Sequence, residues 1–520
     1  MHRSRVSPLV CAGLLGLPLL LPHPTAAYWP TDPLENLPVC TAASFQLSPV
    51  IVSDGAGGAI VTWSDHRSGN ADVYAQRVSA GGEDLWTVDG VALCADTSSQ
   101  QEPTIATDGA GGAIVAWVDQ RSGSTPATSD VYAQRISAGG AVQWAAGGVA
   151  VCSANDAQEV PTIISDGAGG AIVTWQDHRS VLTASYDIYA QRISAAGAVQ
   201  WTANGMALSA AAGNQVYPAI TSDGAGGAIV AWMDQRSGIT SLNNDIYARR
   251  ITADGVVQWT ANGVALCTAT GYQGDPRIAP DGAGGAIVTW EDKRGANLDI
   301  YTQRVSAAGA VQWRADGVAL CTAADDQAHP TIVPDGAGGA IVAWYDSRSG
   351  NADIYAQRIS AAGAVEWTPD GVALCTAPDI QQFPTLASDG ANGAIVAWED
   401  YRSGTSDVYA QRVQANGELG GGAVGVLGET ALAFALEPVG PNPTRGGVMT
   451  VRFTLPRTMA ASLELLDVAG RRIARRDVGS FGAGCHALQL DESRRLAPGL
   501  YLVRLTQGVN VRVARVAVVH

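Results

Sequence analysis

The chain has 520 residues, enough for about three average domains, yet it carries 61 glycines, 14 tryptophans and only 5 phenylalanines. Charged residues make up 15% and apolar residues 47%, a balance that argues against a disordered chain or a coiled coil. The net charge of −16 argues against nucleic acid or an anionic membrane surface as the main partner, because such surfaces recruit basic patches.

Residues 1–27 read as a secretory signal peptide: Arg3 and Arg5 open it, an apolar stretch runs from Val6 to Leu21, and Thr25, Ala26 and Ala27 precede the expected cleavage point. The apolar stretch is broken by Pro8 and Pro18 and falls short of the ~20 residues of a membrane span, so an exported protein with no transmembrane segment is expected.

Residues 28–421 are repetitive. DGAGGAIV begins at Asp54, Asp108, Asp166, Asp223, Asp281 and Asp335 and returns as DGANGAIV at Asp389, at spacings of 54, 58, 57, 58, 54 and 54 residues. Each copy reads PxI, DGAGG, AIVxW, DxR, D(I/V)Y, usually AQR, a small-residue turn, a Trp and usually GVALC. Short runs of Val, Ile, Tyr and Trp between Gly or Asp turns are strands, and about four strands per copy without a helical period predict a propeller blade. The DGAGG segment is expected to be the hairpin turn between a blade's first two strands, because Gly57 and its equivalents are replaced once, by Asn392, the residue that next best tolerates a left-handed backbone.

Seven tryptophans lie in AIVxW and six precede GVALC, and the missing seventh has its counterpart in Trp29, followed by Val39, Cys40 and Thr41. The fold class expected is therefore all-β: a seven-bladed β-propeller closed by the N-terminal strand, which removes the open edges of an array, followed by a small immunoglobulin-like β-sandwich. Cys40, Cys94, Cys152, Cys267, Cys321 and Cys375 fall at equivalent places, with Ser209 in the remaining copy. Equivalent positions around a ring lie too far apart for disulfides or zinc, so free, buried thiols are expected. The DxR pairs, Asp65 with Arg67 through Asp400 with Arg402, read as structural ion pairs. The stretch DHRSGNADVY, Asp65 to Tyr74, resembles the blade signature of TolB-like propellers, which supports the architecture more than a function.

Recognition is expected where the copies differ. The residue before the proline of QxxP is Ser48, Glu102, Val160, Tyr217, Asp275, His329 and Phe383, and the residue inside DxR is His66, Gln120, His178, Gln235, Lys293, Ser347 and Tyr401. Copies two to four carry 4, 3 and 4 extra residues after DxR, and all this variation maps to one rim. Glu102, Tyr217, Asp275, His329, Phe383, His66, His178, Lys293 and Tyr401 are the candidate ligand-binding residues, for a protein or glycan ligand; drift of exposed loops explains the same pattern. No catalytic residue, metal site or cofactor is expected. The reading that follows is a non-enzymatic binding or structural module, with a sialidase-like or other glycan-active propeller enzyme, a glycoside hydrolase, as the alternative; that alternative needs acids, a tyrosine and arginines converging at one mouth.

Residues 422–434 form a glycine-rich linker, and residues 435–520 carry 12 arginines against 6 acids, leaving −22 for the rest. PNP at Pro441 to Pro443, LELLDVAGRRI at Leu463 to Ile473, LAPGLYLVRL at Leu496 to Leu505 and the closing VRVARVAVV resemble the C-terminal sorting domain of type IX secretion substrates and the FlgD-type immunoglobulin-like domain. The first resemblance implies the secretion machinery as a partner, passage across an outer membrane and a place at the cell surface or outside it. Arg515 stands where sorting domains often carry Lys, which leaves the FlgD-like alternative open.

Overall fold

A computed structural model describes residues 38–420 apart from 124–127, 181–184, 239–242 and 403–406, and beyond these residues 434–436, 442, 444–445, 448–455, 460–478, 484–491, 496–508 and 510–519. The expected signal peptide, Trp29 and nearly all of the linker lie outside the described residues. The chain divides into two compact units, 1–420 and 421–520.

The first unit is built from antiparallel sheets, one per repeat. In the first, Gln46–Ser53, Ala59–Asp65, Asp72–Val78 and Val91–Cys94 lie side by side in chain order, and the pattern returns in sheets spanning 100–152, 158–209, 215–267, 273–321, 327–375 and 381–413, the last with three strands among the described residues. No described helix is long and apolar enough to cross a membrane. The unit is an all-β propeller.

The turn chemistry follows from the repeat. Gly57 has φ 88° and Asn392 φ 66°, both left-handed. Asp54 Oδ1 accepts from the amides of Ala56 and Gly58, both at 2.8 Å, which closes the hairpin. A side chain at Gly58 would meet the Val78 carbonyl at 2.2 Å, so this glycine is required by close approach.

Each DxR pair forms a knot at the end of the second strand. Arg67 donates to both oxygens of fully buried Asp65, at 2.8 and 2.6 Å, and Trp63 Nε1 donates to Asp65 at 2.8 Å. Burial pushes this carboxyl up, but the bonds from Arg67 and Trp63 outweigh it and hold Asp65 at about 2. The guanidinium also lies 4.0 Å over the Tyr74 ring and donates to Cys40 Sγ and the Asp89 carbonyl. The six thiols described are free; burial pushes Cys94 up to about 11 and Cys152 up to about 12, so they stay protonated.

Successive sheets pack through the tryptophan beside the knot. Trp117 seats on Ile60 and Val73 of the sheet before it, Trp175 on Ile114 and Val131, and Trp398 on Ile341 and Ile354. Of the segment expected to close the ring, only residues from 38 on are described. Cys40 and Thr41 sit beside the first sheet as the end of a preceding sheet would: Arg67 donates to Cys40 as Arg121 does to Cys94, and Thr41 N donates to Asp89 as Thr322 N does to Asp370. On the other side, Ile395 and Val408 of the last sheet, which correspond to the fully buried Ile60 and Val73, are 46% and 79% exposed. The last sheet has three strands among the described residues, and Trp29, expected in its outer strand, lies outside them.

In the second unit, sheets of three and five strands enclose a core of Met449, Val451, Phe453, Leu463, Leu465, Val503, Leu505 and Val516. Asn442, from the PNP motif, accepts from Ala517 N and donates to the Arg515 carbonyl, which fastens the closing strand Asn510–Val519.

Replacing Asp234 by Ala strips the Arg236 fork and the Trp232 indole of their acceptor at the centre of the array. A loss of about 3–5 kcal/mol is expected, because a partly buried charge is left unpaired. Urea unfolding of Asp234→Ala should show a much lower midpoint; an unchanged midpoint would refute the knot as a stabilising element.

Candidate active site

The rim is shaped by a bulge repeated in every first strand. Leu47 pairs with Ser64 and Val50 with Thr62, so Ser48 and Pro49 together oppose Trp63, and the same register shift recurs in the other six sheets. Proline normally confines its predecessor to extended backbone. Here Ser48, Glu102, Val160, Tyr217, Asp275, His329 and Phe383 have φ of 51°, 52°, 50°, 54°, 49°, 50° and 50°. A left-handed valine, tyrosine or phenylalanine costs about 1–3 kcal/mol and persists only where the surroundings over-determine it. The buried glutamines that open these strands, such as Gln273 and Gln327, anchor the chain just before the bulge. The bulge re-aims one side chain per sheet.

It also leaves an amide that the preceding sheet satisfies. His329 N donates to Glu291 Oε1 at 2.8 Å, and Tyr217 N to Gln176 Oε1 at 3.2 Å. The acceptor is the residue between the Trp and the Asp of the second strand, which reads Ser64, Val118, Gln176, Met233, Glu291, Tyr345 and Glu399 along the chain. Sequence reasoning missed this position, although its variation inside the constant W-x-D was the available signal.

Asp275, Glu291 and His329 come together, with one ligating atom from each lying within 4.8 Å of the others. Arg277 Nη1 is 2.7 Å from Asp275 Oδ1, and His329 Nδ1 is 3.6 Å from Asp275 Oδ2. The His329 ring lies 5.3 Å from Tyr345 and edge-on to Phe383 at 5.1 Å. Glu291 is only 8% exposed, whereas Tyr217 and Phe383 flank the group at 53% and 50%. The environment separates the two carboxyls. Burial, reinforced by the charge of Asp275, pushes Glu291 above its ordinary 4.5. Burial also acts on Asp275, but His329 and Arg277 outweigh it and hold Asp275 below 3.8. The Asp275 carboxylate, 3.6 Å away, raises His329 above 6.5, and burial with the two carboxylates pushes the Tyr272 phenol up to about 12. By donor type the three groups suit a divalent cation, but the Arg277 guanidinium already supplies Asp275 with its counter-charge.

A second polar group lies on the second and third sheets. Tyr186 Oη donates to Glu159 Oε2 at 3.1 Å, Gln176 Nε2 donates to the same oxygen at 3.2 Å, and the His178 ring lies 4.9 Å from Tyr186. Burial raises Glu102, with Glu159 adding to the shift. Of the residues singled out from sequence, Asp275, His329 and Phe383 are in direct contact, Tyr217 is joined to the second group through Gln176, and His178 and Glu102 belong to that group. His66, Lys293 and Tyr401 are held by backbone bonds, to Phe45, Tyr272 and Ile380, and their side chains stand outside these contacts.

No protein-family model matches the chain, and no curated protein matches it. Among solved structures it is similar to a Hadza microbial sialidase, with 11% identity, TM-score 0.36 and 64% of this chain on 71% of that one. It is also similar to a Penicillium chrysogenum α-L-arabinanase, at 12% identity and TM-score 0.36, with 61% of this chain on 93% of that one. A polysaccharide lyase of family PL25, an ulvan lyase, is similar at 10% identity and TM-score 0.43, with 72% of this chain on 96% of that one. At these identities the likeness concerns the fold. The expectation of a non-enzymatic binding or structural module is corrected here. Acids, tyrosines and an arginine, the convergence that the enzyme alternative requires, meet at Asp275, Glu291, Tyr272, Tyr345 and Arg277. These residues occupy positions that differ between the repeats, while the DxR groups that recur are structural.

The His329–Asp275 contact has a pH signature. A histidine whose folded pKa is raised contributes stability that is fully present below 6.5 and lost as pH rises through the folded value. NMR titration should place the His329 imidazole above 6.5, and Asp275→Asn should bring it back down; an unmoved midpoint in that variant would break the assignment.

Proposed function

We propose that this protein is a glycan-active propeller enzyme that cleaves glycosidic bonds at the Asp275–Glu291–His329 group. The observation that carries the reading is the pair of neighbouring carboxyls driven in opposite directions, the arrangement that divides acid and charge-stabilising roles in glycoside hydrolysis. Glu291, whose proton burial makes harder to lose, donates it to the leaving glycosidic oxygen. Asp275, held below its ordinary range by His329 and Arg277, stabilises the positive charge that develops at the anomeric carbon; water then attacks that carbon to form the new C–O bond, and its released proton restores Glu291. His329 covers both and is the positioning residue that a sugar meets first. Tyr217 and Phe383 offer exposed ring faces on which sugar C–H groups can stack.

On this reading the frame is a seven-bladed ring whose last joint is completed by the segment before Cys40, and the second unit is an immunoglobulin-like sorting or anchoring domain. The expected place of work is then the cell surface or the medium. Both are supported by sequence: the tryptophan count for the ring, and the PNP and LAPGLYLVRL motifs for the sorting domain.

Glu291→Gln is expected to lower kcat by about 10²–10⁴-fold with little effect on KM, the usual worth of a general acid. The pH dependence of kcat/KM should fall on the acid side through Asp275, below 3.8, and on the alkaline side through Glu291, above 4.5. Reducing-end release from a polysaccharide panel measures both; full activity in Glu291→Gln would rule out the assignment. Cell fractionation after deletion of residues 435–520 tests the sorting role, with loss of surface or medium protein as the expected result.

A further inference from the structure

The cationic groups of the first unit are almost all spent. Seven arginines of DxR pair with the aspartate two residues before them, and the seven arginines at the third-strand position, Arg77, Arg135, Arg192, Arg250, Arg304, Arg358 and Arg412, pair with the first aspartate of DGAGG or DGANG. Arg249 donates to the Leu208 and Gln258 carbonyls, and Arg277 is bound to Asp275. The lengthened segments of copies two to four, STPA at 124–127, VLTA at 181–184 and ITSL at 239–242, contain no charged residue. Two cations of the first unit remain among the described residues: Arg314, exposed in the turn between the third and fourth strands of the fifth sheet, and Lys293, the chain's single lysine, at the rim. Against Lys293 stand Glu102, Glu159, Asp275 and Glu291, within a segment, 1–434, that carries a formal −22.

Recognition of a sugar carboxylate or sulfate requires cationic forks free to pair with it, and a field of the opposite sign to gather it. This rim has neither. Its assets are hydrogen-bonding groups, Gln176, Tyr186, His178 and Tyr272, and the exposed rings of Tyr217 and Phe383, the equipment for hydroxyls and sugar faces. We infer that the glycan accepted here is an uncharged chain, not a sialylated, uronate-bearing or sulfated one. The inference rests on the glycan reading of the same site.

The test uses the full mature chain on an array of neutral, carboxylated and sulfated oligosaccharides at low and physiological salt. Retention of neutral glycans, with Lys293→Ala changing their affinity less than twofold, supports the inference. A strongest ligand that bears carboxylate or sulfate, with affinity that collapses in Lys293→Ala or with added salt, overturns it while leaving the glycan reading intact. Retention of no glycan in any class overturns both. The double variant Glu102→Gln, Glu159→Gln adds an independent readout: its retention of anionic glycans at low salt should rise severalfold if the acids are what excludes them, and no rise counts against the electrostatic argument.

Discussion

The structure of the repeat depends on one buried carboxylate, the aspartate of DxR. It is fully buried in all seven copies. It accepts the indole N–H of the tryptophan two residues before it at 2.7–3.0 Å and holds the arginine two residues after it. The first bond orients the ring that plugs into the neighbouring sheet. The second lays a guanidinium 3.8–4.1 Å over the tyrosine of the third strand. A charge in this position is tolerable only because every lone pair facing it is used, so the aspartate fixes second strand, third strand and inter-sheet joint together.

The residues on either side of that aspartate are free of these duties, and that is where chemistry enters. Gln176 and Glu291 occupy the same seat and do the same structural task, accepting the amide that the next sheet's bulge leaves open. The glutamine stops there. The glutamate adds a carboxyl in a nearly dry position that raises its pKa, next to Asp275, whose pKa His329 and Arg277 lower. A backbone requirement shared by the repeats thus places, in one sheet, two carboxyls with oppositely shifted pKa values side by side.

Much of the frame was legible because the repeat compares itself with itself. Six glycines and one asparagine at one position specify a left-handed turn. The bulge was not legible, since a residue before proline reads locally as extended; only the buried glutamine and the neighbouring sheet impose the opposite. Nor was the Asp275–Glu291–His329 group, whose members are 16 and 38 residues apart in sequence and meet because adjacent sheets bring a first strand against a second. The DxR arginines, conspicuous in sequence, turned out to be consumed by the frame.

The pinned bulge makes each rim position a plug-in site. Glycine-free left-handed backbone is held there for serine, valine, tyrosine and phenylalanine alike, so the conformation belongs to the scaffold and not to the side chain it displays. Combinatorial replacement at these seven positions would therefore sample new surfaces at nearly constant foldability, a property shared with antibody loops but here mounted on rigid strands.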